Sequence, residues 1–430
     1  MRKSLKKRIN MHLRQPADSA DSISKKKALP SVRKRIPRRF IGVGSVKISD
    51  LEKRYVAAVL DHNRLSYGYY TNRFERAFAR AHKVRYALFC NSGTSALQVG
   101  LHAMKKKYGW KDGDEVLVPA VTFVASLNTI LQNNLTPVLV DVDPIYFEMD
   151  PMGAEAKITK RTVAMMPVHL CGCPCDMDRL VDIKEQYKLK MIEDSCETMF
   201  ARYRGKPVGS FGEVACFSTY AAHILVTGVG GFAVTNDQEI AVTIKSLYNH
   251  GRDGIYTNPD DTKRGSLNQL FAIVSRRFNF IDVGYSYRAT EMESALGLGQ
   301  MRRYRQIIAA RKRNARALTR VLRPFSDYLQ LPSKRNGAEH VFMMFPMVVK
   351  DGVDRDELIL YLEKQGIETR YLLPLTNQPV YERLWGHIED DYPIAKHLNR
   401  NGFYIGCHPE MSFEDFDYVA EIFSRFFSIR

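Results

Sequence analysis

The side chains best suited to chemistry in this chain fall at the ends of short apolar runs. N-S-G-T-S-A-L (91–97) follows one such run and opens a helical stretch. Free amides of Gly93, Thr94 and Ser95 at a helix N-terminus form a site for an anion such as a phosphate. The same letters also describe an ordinary helix cap. I-E-D-S-C-E (192–197) ends another run and leaves Asp194 where a strand should stop. A carboxylate there can pair with a protonated pyridine-type nitrogen, or simply cap a helix. Phe123, in P-A-V-T-F-V-A-S (119–126), can stack on a flat ring, although an aromatic so placed is more often core. Ser218 stands five residues before His223 in F-S-T-Y-A-A-H-I-L-V-T-G-V-G-G (217–231). Its hydroxyl can meet a phosphate, and the His223 imidazole can move a proton near neutral pH.

These residues need a scaffold, and the apolar pattern supplies one. Strands are predicted at 84–90, 114–119, 137–143, 162–168, 188–193, 213–218 and 231–235, with helices at 94–107 and 121–133 between them. Alternation of this kind predicts an α/β fold with a mainly parallel sheet between helices. Ligands then bind at the carboxyl ends of the strands, where the residues above lie. Ser49-x-x-Glu52 has the form of a capping box, with Leu51, Val56, Val59 and Leu60 inward. One long helix is predicted over 290–322, with Arg302, Arg303, Arg305, Arg311, Lys312 and Arg313 on a solvated face. A strand at 341–349 and helices at 354–365 and 413–427 suggest a smaller α+β domain. Residues 251–270 read as a long loop, which in compact domains is often functional.

Length and charge bound the rest. A chain of 430 residues fits two domains. We expect a basic tail over 1–40, a large domain over 41–300 and a small one over 301–430. The tail holds fourteen Lys and Arg against Asp18 and Asp21, a net of +12, which leaves +5 for the other 390 residues. Such a segment reads as disordered and solvated, with at most weak contacts to nucleic acid or anionic lipid. There is no apolar run of membrane-spanning length and no apolar secretory core at the N-terminus. Seven cysteines in a chain this long do not form a disulfide framework, so the cytoplasm is the expected compartment.

Together, the blocks resemble the DegT/DnrJ/EryC1/StrS aminotransferase family, the sugar-modifying branch of the fold-type I pyridoxal-phosphate (PLP) enzymes. Further blocks are S-Y-G-Y-Y-T-N-R-F-E (66–75), P-V-L-V-D-V-D-P (137–144), V-H-L-C-G (168–172), G-K-P-V-G-S-F-G (205–212), G-Y-S-Y-R-A-T-E-M-E-S-A-L-G (284–297) and Y-I-G-C-H-P-E-M-S (404–412). The resemblance implies a homodimer with shared active sites and a nucleotide-linked 4-keto sugar as substrate. It implies that Gly93, Thr94, Ser95 and Ser218 bind the cofactor phosphate, that Phe123 stacks on its ring and that Asp194 holds its nitrogen. Glu197 stands where Gln is usual, near the ring hydroxyl. Ser286 takes the place of an Asn that reaches the partner's phosphate, and Val229 replaces an acidic residue.

In this family a lysine normally occupies the place of His223. An imidazole has no primary amine for a covalent link to PLP. His223 therefore resembles the sugar 3-dehydratases of the family, which use free pyridoxamine phosphate (PMP) and expel the C3 hydroxyl while a base moves a proton. One kind of 3-dehydratase carries an iron–sulfur cluster on four cysteines. Matched from Cys196, its other three positions fall on Gly254, Tyr256 and Arg264, none of which is a thiolate ligand. G-R-D (251–253) also resembles the 3-dehydratases. The expectation is a cluster-independent NDP-4-keto-6-deoxyhexose 3-dehydratase, with glutamate as amino donor and no iron–sulfur reductase or metal. Cys171, Cys173 and Cys175 are expected as packed thiols. The alternatives are a nucleotide-sugar aminotransferase and a non-catalytic paralogue that binds PLP or a nucleotide sugar.

Overall fold

A computed structural model describes residues 39–253, 266–268, 271, 274 and 278–428. Nearly all of the basic tail, and the positions of Gly254, Tyr256 and Arg264, lie outside the described residues. The larger sheet has seven strands: β1 (Tyr86–Cys90), β2 (Glu115–Pro119), β3 (Thr136–Val140), β4 (Thr162–Met165), β5 (Lys190–Asp194), β6 (Val214–Ser218) and β7 (Gly231–Thr235). Their order is β1-β7-β6-β5-β4-β2-β3. Strands β2 to β6 pair in parallel, while β7 runs antiparallel to both β1 and β6. A second, antiparallel sheet comprises β8 (Leu329–Gln330), β9 (Met344–Val349), β10 (Thr369–Tyr371) and β11 (Gly402–Gly406), in the order β8-β9-β11-β10. Residues 37–430 form one compact unit.

The helices that matter for the site are α1 (Asp50–Asp61), α2 (Tyr69–His82), α3 (Gly93–Tyr108), α4 (Val124–Gln132), α5 (Glu291–Met301) and α6 (Tyr304–Leu322). The single helix expected over 290–322 is in fact α5 and α6. Arg303, at φ −125° and ψ 13°, leaves helical geometry and breaks it. Its guanidinium instead reaches Glu52 at 2.9 Å. The capping box at Ser49 forms as expected, with Glu52 accepting from the Ser49 amide at 3.0 Å. Of the residues expected inward on α1, Val59 is buried but Leu60 is 52% exposed. Glu52 takes an inward place, and Arg303 offsets the cost of burying its charge.

Packing of α2 fixes the strands that lead into the site. Phe78 stacks on Phe232 of β7 (centroids 3.9 Å apart) and meets Phe217 of β6 edge-on at 5.2 Å. Phe74 touches Phe89 and Phe232 at 5.0 and 4.8 Å. Each phenylalanine buries large apolar area and gains from offset or edge contacts. Phe217 directly precedes Ser218, and Phe232 directly follows Gly231. The start of α2 is held by Glu291 of α5. Its carboxylate accepts from the amides of Gly68, Tyr70 and Thr71 at 2.8–2.9 Å, satisfying donors that a helix start leaves open. Replacing Phe78 by Ala is therefore expected to lower stability by about 3–5 kcal/mol. Urea unfolding followed by circular dichroism checks this, and a loss under 1 kcal/mol would mean that α2 is not packed as described.

Candidate active site

The chain reaches the site where β1, β5 and β6 end. Ser92 caps α3, its Oγ accepting from the Ser95 amide at 3.0 Å. The Ser95 donor is thus engaged within the helix start, and its hydroxyl also meets Ser92 Oγ at 2.9 Å. Gly93 and Thr94 keep first-turn amides that no helical carbonyl can reach. Thr94 is exposed. Two glycines allow the close approach. A Cβ on Gly93 would fall 2.8 Å from both Cys196 Sγ and Ser218 Cβ, and one on Gly231 would fall 2.5 Å from the Gly93 nitrogen. Gly93, Cys196 and Ser218 are therefore in contact.

Asp194 ends β5 nearly buried. Its Oδ2 accepts from Ser126 Oγ of α4 at 2.6 Å, and its Oδ1 from the Cys196 amide at 3.2 Å. Ser126 Oγ lies 2.7 Å from Thr122 Oγ1. Sequence reasoning missed this relay. The signal was Thr122 and Ser126, four apart, in the segment that also carries Phe123. Phe123 precedes α4 with 57% of its surface exposed, so its ring is not core. Glu197 is buried and accepts from the Cys171 amide at 2.7 Å. Burial raises its pKa to about 7, with Asp194 adding to the rise and the Cys171 amide opposing it.

His223 lies beside Ser218, with Nδ1 3.4 Å from Ser218 Oγ. Ser218 Oγ also accepts from the Tyr220 amide at 3.3 Å. Loss of water around the half-buried imidazole pushes its pKa down to about 4; the Tyr220 carbonyl works against this and the Arg311 cation adds to it. The ring is therefore neutral at pH 7, the form that accepts a proton. Arg311 was expected on a solvated face, but it is 1% exposed. Its Nη1 donates to the carbonyls of Met343 (2.7 Å) and of Phe342 and Cys407 (both 3.2 Å), and its Nη2 to that of His223 (3.1 Å).

Ser286 stands on a separate segment. Its Oγ accepts from Arg288 at 3.2 Å, and the same guanidinium meets His250 Nε2 at 3.1 Å. The Tyr287 carbonyl accepts from the Asn91 amide at 2.8 Å, so this segment lies against the residues that lead into α3. Val229 is 49% exposed. Cys171, Cys173 and Cys175 are all buried free thiols, and burial pushes each pKa up.

Comparison with known proteins fits this geometry. Residues 46–424 match the DegT/DnrJ/EryC1/StrS aminotransferase family. The chain belongs to that family. A GDP-perosamine synthase of Caulobacter vibrioides is 35% identical over 388 residues, 89% of this chain and 97% of that protein. The structure of E. coli GDP-4-keto-6-deoxy-D-mannose-3-dehydratase with bound hydrated PLP superposes with a TM-score of 0.81 at 27% identity, covering 89% of this chain and 98% of that one. A structure of GDP-4-keto-6-deoxymannose-3-dehydratase with a trapped PLP-glutamate geminal diamine gives 0.78 at 26%, covering 89% and 99%. The chain is thus a PLP-dependent enzyme of the sugar aminotransferase and dehydratase group, with the α/β fold of its relatives.

The residues present suit that cofactor. Two first-turn amides without a helical partner and a hydroxyl can take a phosphate, and a buried carboxyl group can take a protonated nitrogen. The shifts carry signs that can be checked. Between pH 6.5 and about 4 the unfolded chain protonates His223 while the fold resists it, so stability falls as pH falls through that window. His223→Asn is expected to flatten that fall in denaturant titrations. Arg311→Met should move the His223 titration upward, read by histidine NMR; an unmoved midpoint would mean that the Arg311 charge does not act on the ring. A carboxyl titrating near pH 7 in carbon-13 spectra should vanish in Glu197→Gln.

Proposed function

We propose that this enzyme removes the C3 hydroxyl of a nucleotide-linked 4-keto-6-deoxyhexose, using PMP regenerated with glutamate. The observation that carries this is His223. It stands where the family's lysine would, neutral and beside Ser218. When bound, the cofactor supplies an amine that condenses with a ketone and a pyridinium that withdraws electrons. In this proposal the Gly93 and Thr94 amides and the Ser218 hydroxyl hold its phosphate, with Ser95 acting through its place in the helix cap. Phe123 lies on its ring. Asp194, oriented by Ser126, holds its nitrogen, and Glu197 lies near its ring hydroxyl. His223 takes and returns the proton. Glutamate as donor is supported by the PLP–glutamate adduct trapped in the related dehydratase.

A shared homodimeric site belongs to the same proposal. Phe278, Phe280, Ile281 and Val283, close in sequence to Ser286, are 47–85% exposed. An apolar run of this kind is suited to burial against a second copy. Ser286 and Arg288 would then approach the partner's cofactor. We place the large domain at 41–300 and the small one at 301–430, and the enzyme in the cytoplasm. Among the described residues no helix is long and apolar enough to cross a membrane.

A second reading, transfer of an amino group to C4 with the C3 hydroxyl kept, is favoured by the 35% identity to a GDP-perosamine synthase. Mass spectrometry separates the two. With PMP, glutamate and a panel of nucleotide-linked 4-keto-6-deoxyhexoses, the wild type should yield a 3-deoxy-4-keto sugar together with 2-oxoglutarate. His223→Asn should slow this by about 10²-fold or more, the usual contribution of a general base. A 4-amino sugar as sole product would overturn the dehydratase reading.

A further inference from the structure

A strongly charged concavity outside the His223 region lies between α2 and the α5–α6 turn. Arg73, Arg76 and Arg80 recur at i, i+3 and i+7 and line one side of a cleft of about 540 Å³. Arg302 and Arg305 line the other side. All five are exposed. No carboxylate lines the cleft, and among the described residues none of the five forms an ion pair. Five like charges around one concavity repel each other, and an anion between them removes that repulsion.

The floor is of a different character. Leu298, Met301 and Tyr304 form it. The Tyr304 ring leans on Phe200, with centroids 4.4 Å apart, and is fixed by it. Arg305 Nε donates to the Tyr304 hydroxyl at 3.2 Å, and its guanidinium carbon lies 5.7 Å from the ring centroid. A smaller cleft of about 330 Å³ continues past Tyr304 and Arg305. It adds Arg202 and Lys312, the latter paired with Glu339 at 3.3 Å. A bare phosphate has no use for an apolar floor with a braced aromatic edge. A flat ring carrying phosphates uses both halves: guanidinium forks for the phosphates and the tyrosine for the ring. The larger volume falls in the range of small-molecule sites.

We propose that this cleft is a second anion site and that it binds a nucleoside diphosphate, with its phosphates on Arg73, Arg76, Arg80 and Arg302 and its base against Tyr304. The proposal does not rest on the chemistry assigned to His223. Calorimetric titration of the full chain with GDP at low salt tests it. The double charge reversal R76E/R302E should remove one class of binding, weakening it about tenfold or more, while turnover is unchanged. R76K/R302K should retain that class, and the same pattern should appear in a His223→Asn background. Inorganic pyrophosphate should bind the cleft about tenfold more weakly than GDP. The proposal is overturned if R76E/R302E leaves the isotherm unchanged. It is equally overturned if pyrophosphate binds as well as GDP, or if a single-stranded oligonucleotide, and not GDP, is the ligand lost in R76E/R302E.

Discussion

One buried guanidinium holds the site to the rest of the molecule. Arg311 comes from α6 and donates through its two Nη atoms to four carbonyls, while its Nε finds no hydrogen-bond partner among the described residues. Two belong to the segment entering β9, one follows β11, and the fourth is that of His223. A buried charge without hydrogen bonds costs several kcal/mol, so these bonds are obligatory. They also fix geometry. The loop that carries His223 leaves the large sheet at Ser218 and is tied through Arg311 to the second sheet. The His223 side chain therefore takes its position from both sheets. The same cation stands against a positive charge on the imidazole. Arg311 thus fixes the position of His223 and adds to the lowering of its proton affinity that loss of water begins.

A second tie works in the same direction. Cys171, at φ 56°, turns its amide to Glu197, while its carbonyl accepts from the Met343 amide at 3.1 Å. Met343 is also a partner of Arg311. Glu197 and His223 thus hang from the same short segment, 342–343, although one follows β5 and the other β6. On the opposite side of β5, Glu193 accepts amides of Gly209, Phe211 and Gly212 at 2.7 Å and meets His169 at 3.2 Å. Alternate residues of a strand face opposite ways, so Glu193 and Asp194 divide the work. Glu193 fixes the loop behind the sheet, and Asp194 is left to the site.

Much of this was legible in the sequence, for identifiable reasons. Strands β1 to β7 are short apolar runs with turn residues at their ends, and their limits lie within a few residues of those expected. Asp194, Ser218 and Gly93 stand at strand ends because the alternation placed them there. What was lost depends on distance along the chain. Helix α2 is hard to read from the block at 66–75, because its large apolar residues, Phe74 and Phe78, are few and stand among arginines. Strand β11 begins directly after a helix that ends at Asn401, with no turn between them to mark its start. The antiparallel course of β7 follows from chain crossover, which local pattern does not encode. Arg311 looks like Arg302, Arg305 and Arg313 in a basic run. Only the arrival of residues 342, 343 and 407 from elsewhere in the chain buries it.

The site's electrostatics follow from one cause acting on two kinds of group. Removal from water disfavours charge, so it raises a carboxyl and lowers an imidazole. Glu197 rises to about 7 and His223 falls to about 4. Near neutral pH this leaves a carboxyl that shares its proton and an imidazole free to accept one. Asp194 differs from both in its hydrogen bonds: it takes a serine hydroxyl and a backbone amide, whereas Glu197 takes a single amide. The two carboxyl groups are thus distinguished by their neighbours and not by residue type. Lysine in place of His223 would bring a second cation beside Arg311 in the same desolvated pocket. An imidazole, whose pKa falls to about 4 there, adds no such charge near neutral pH.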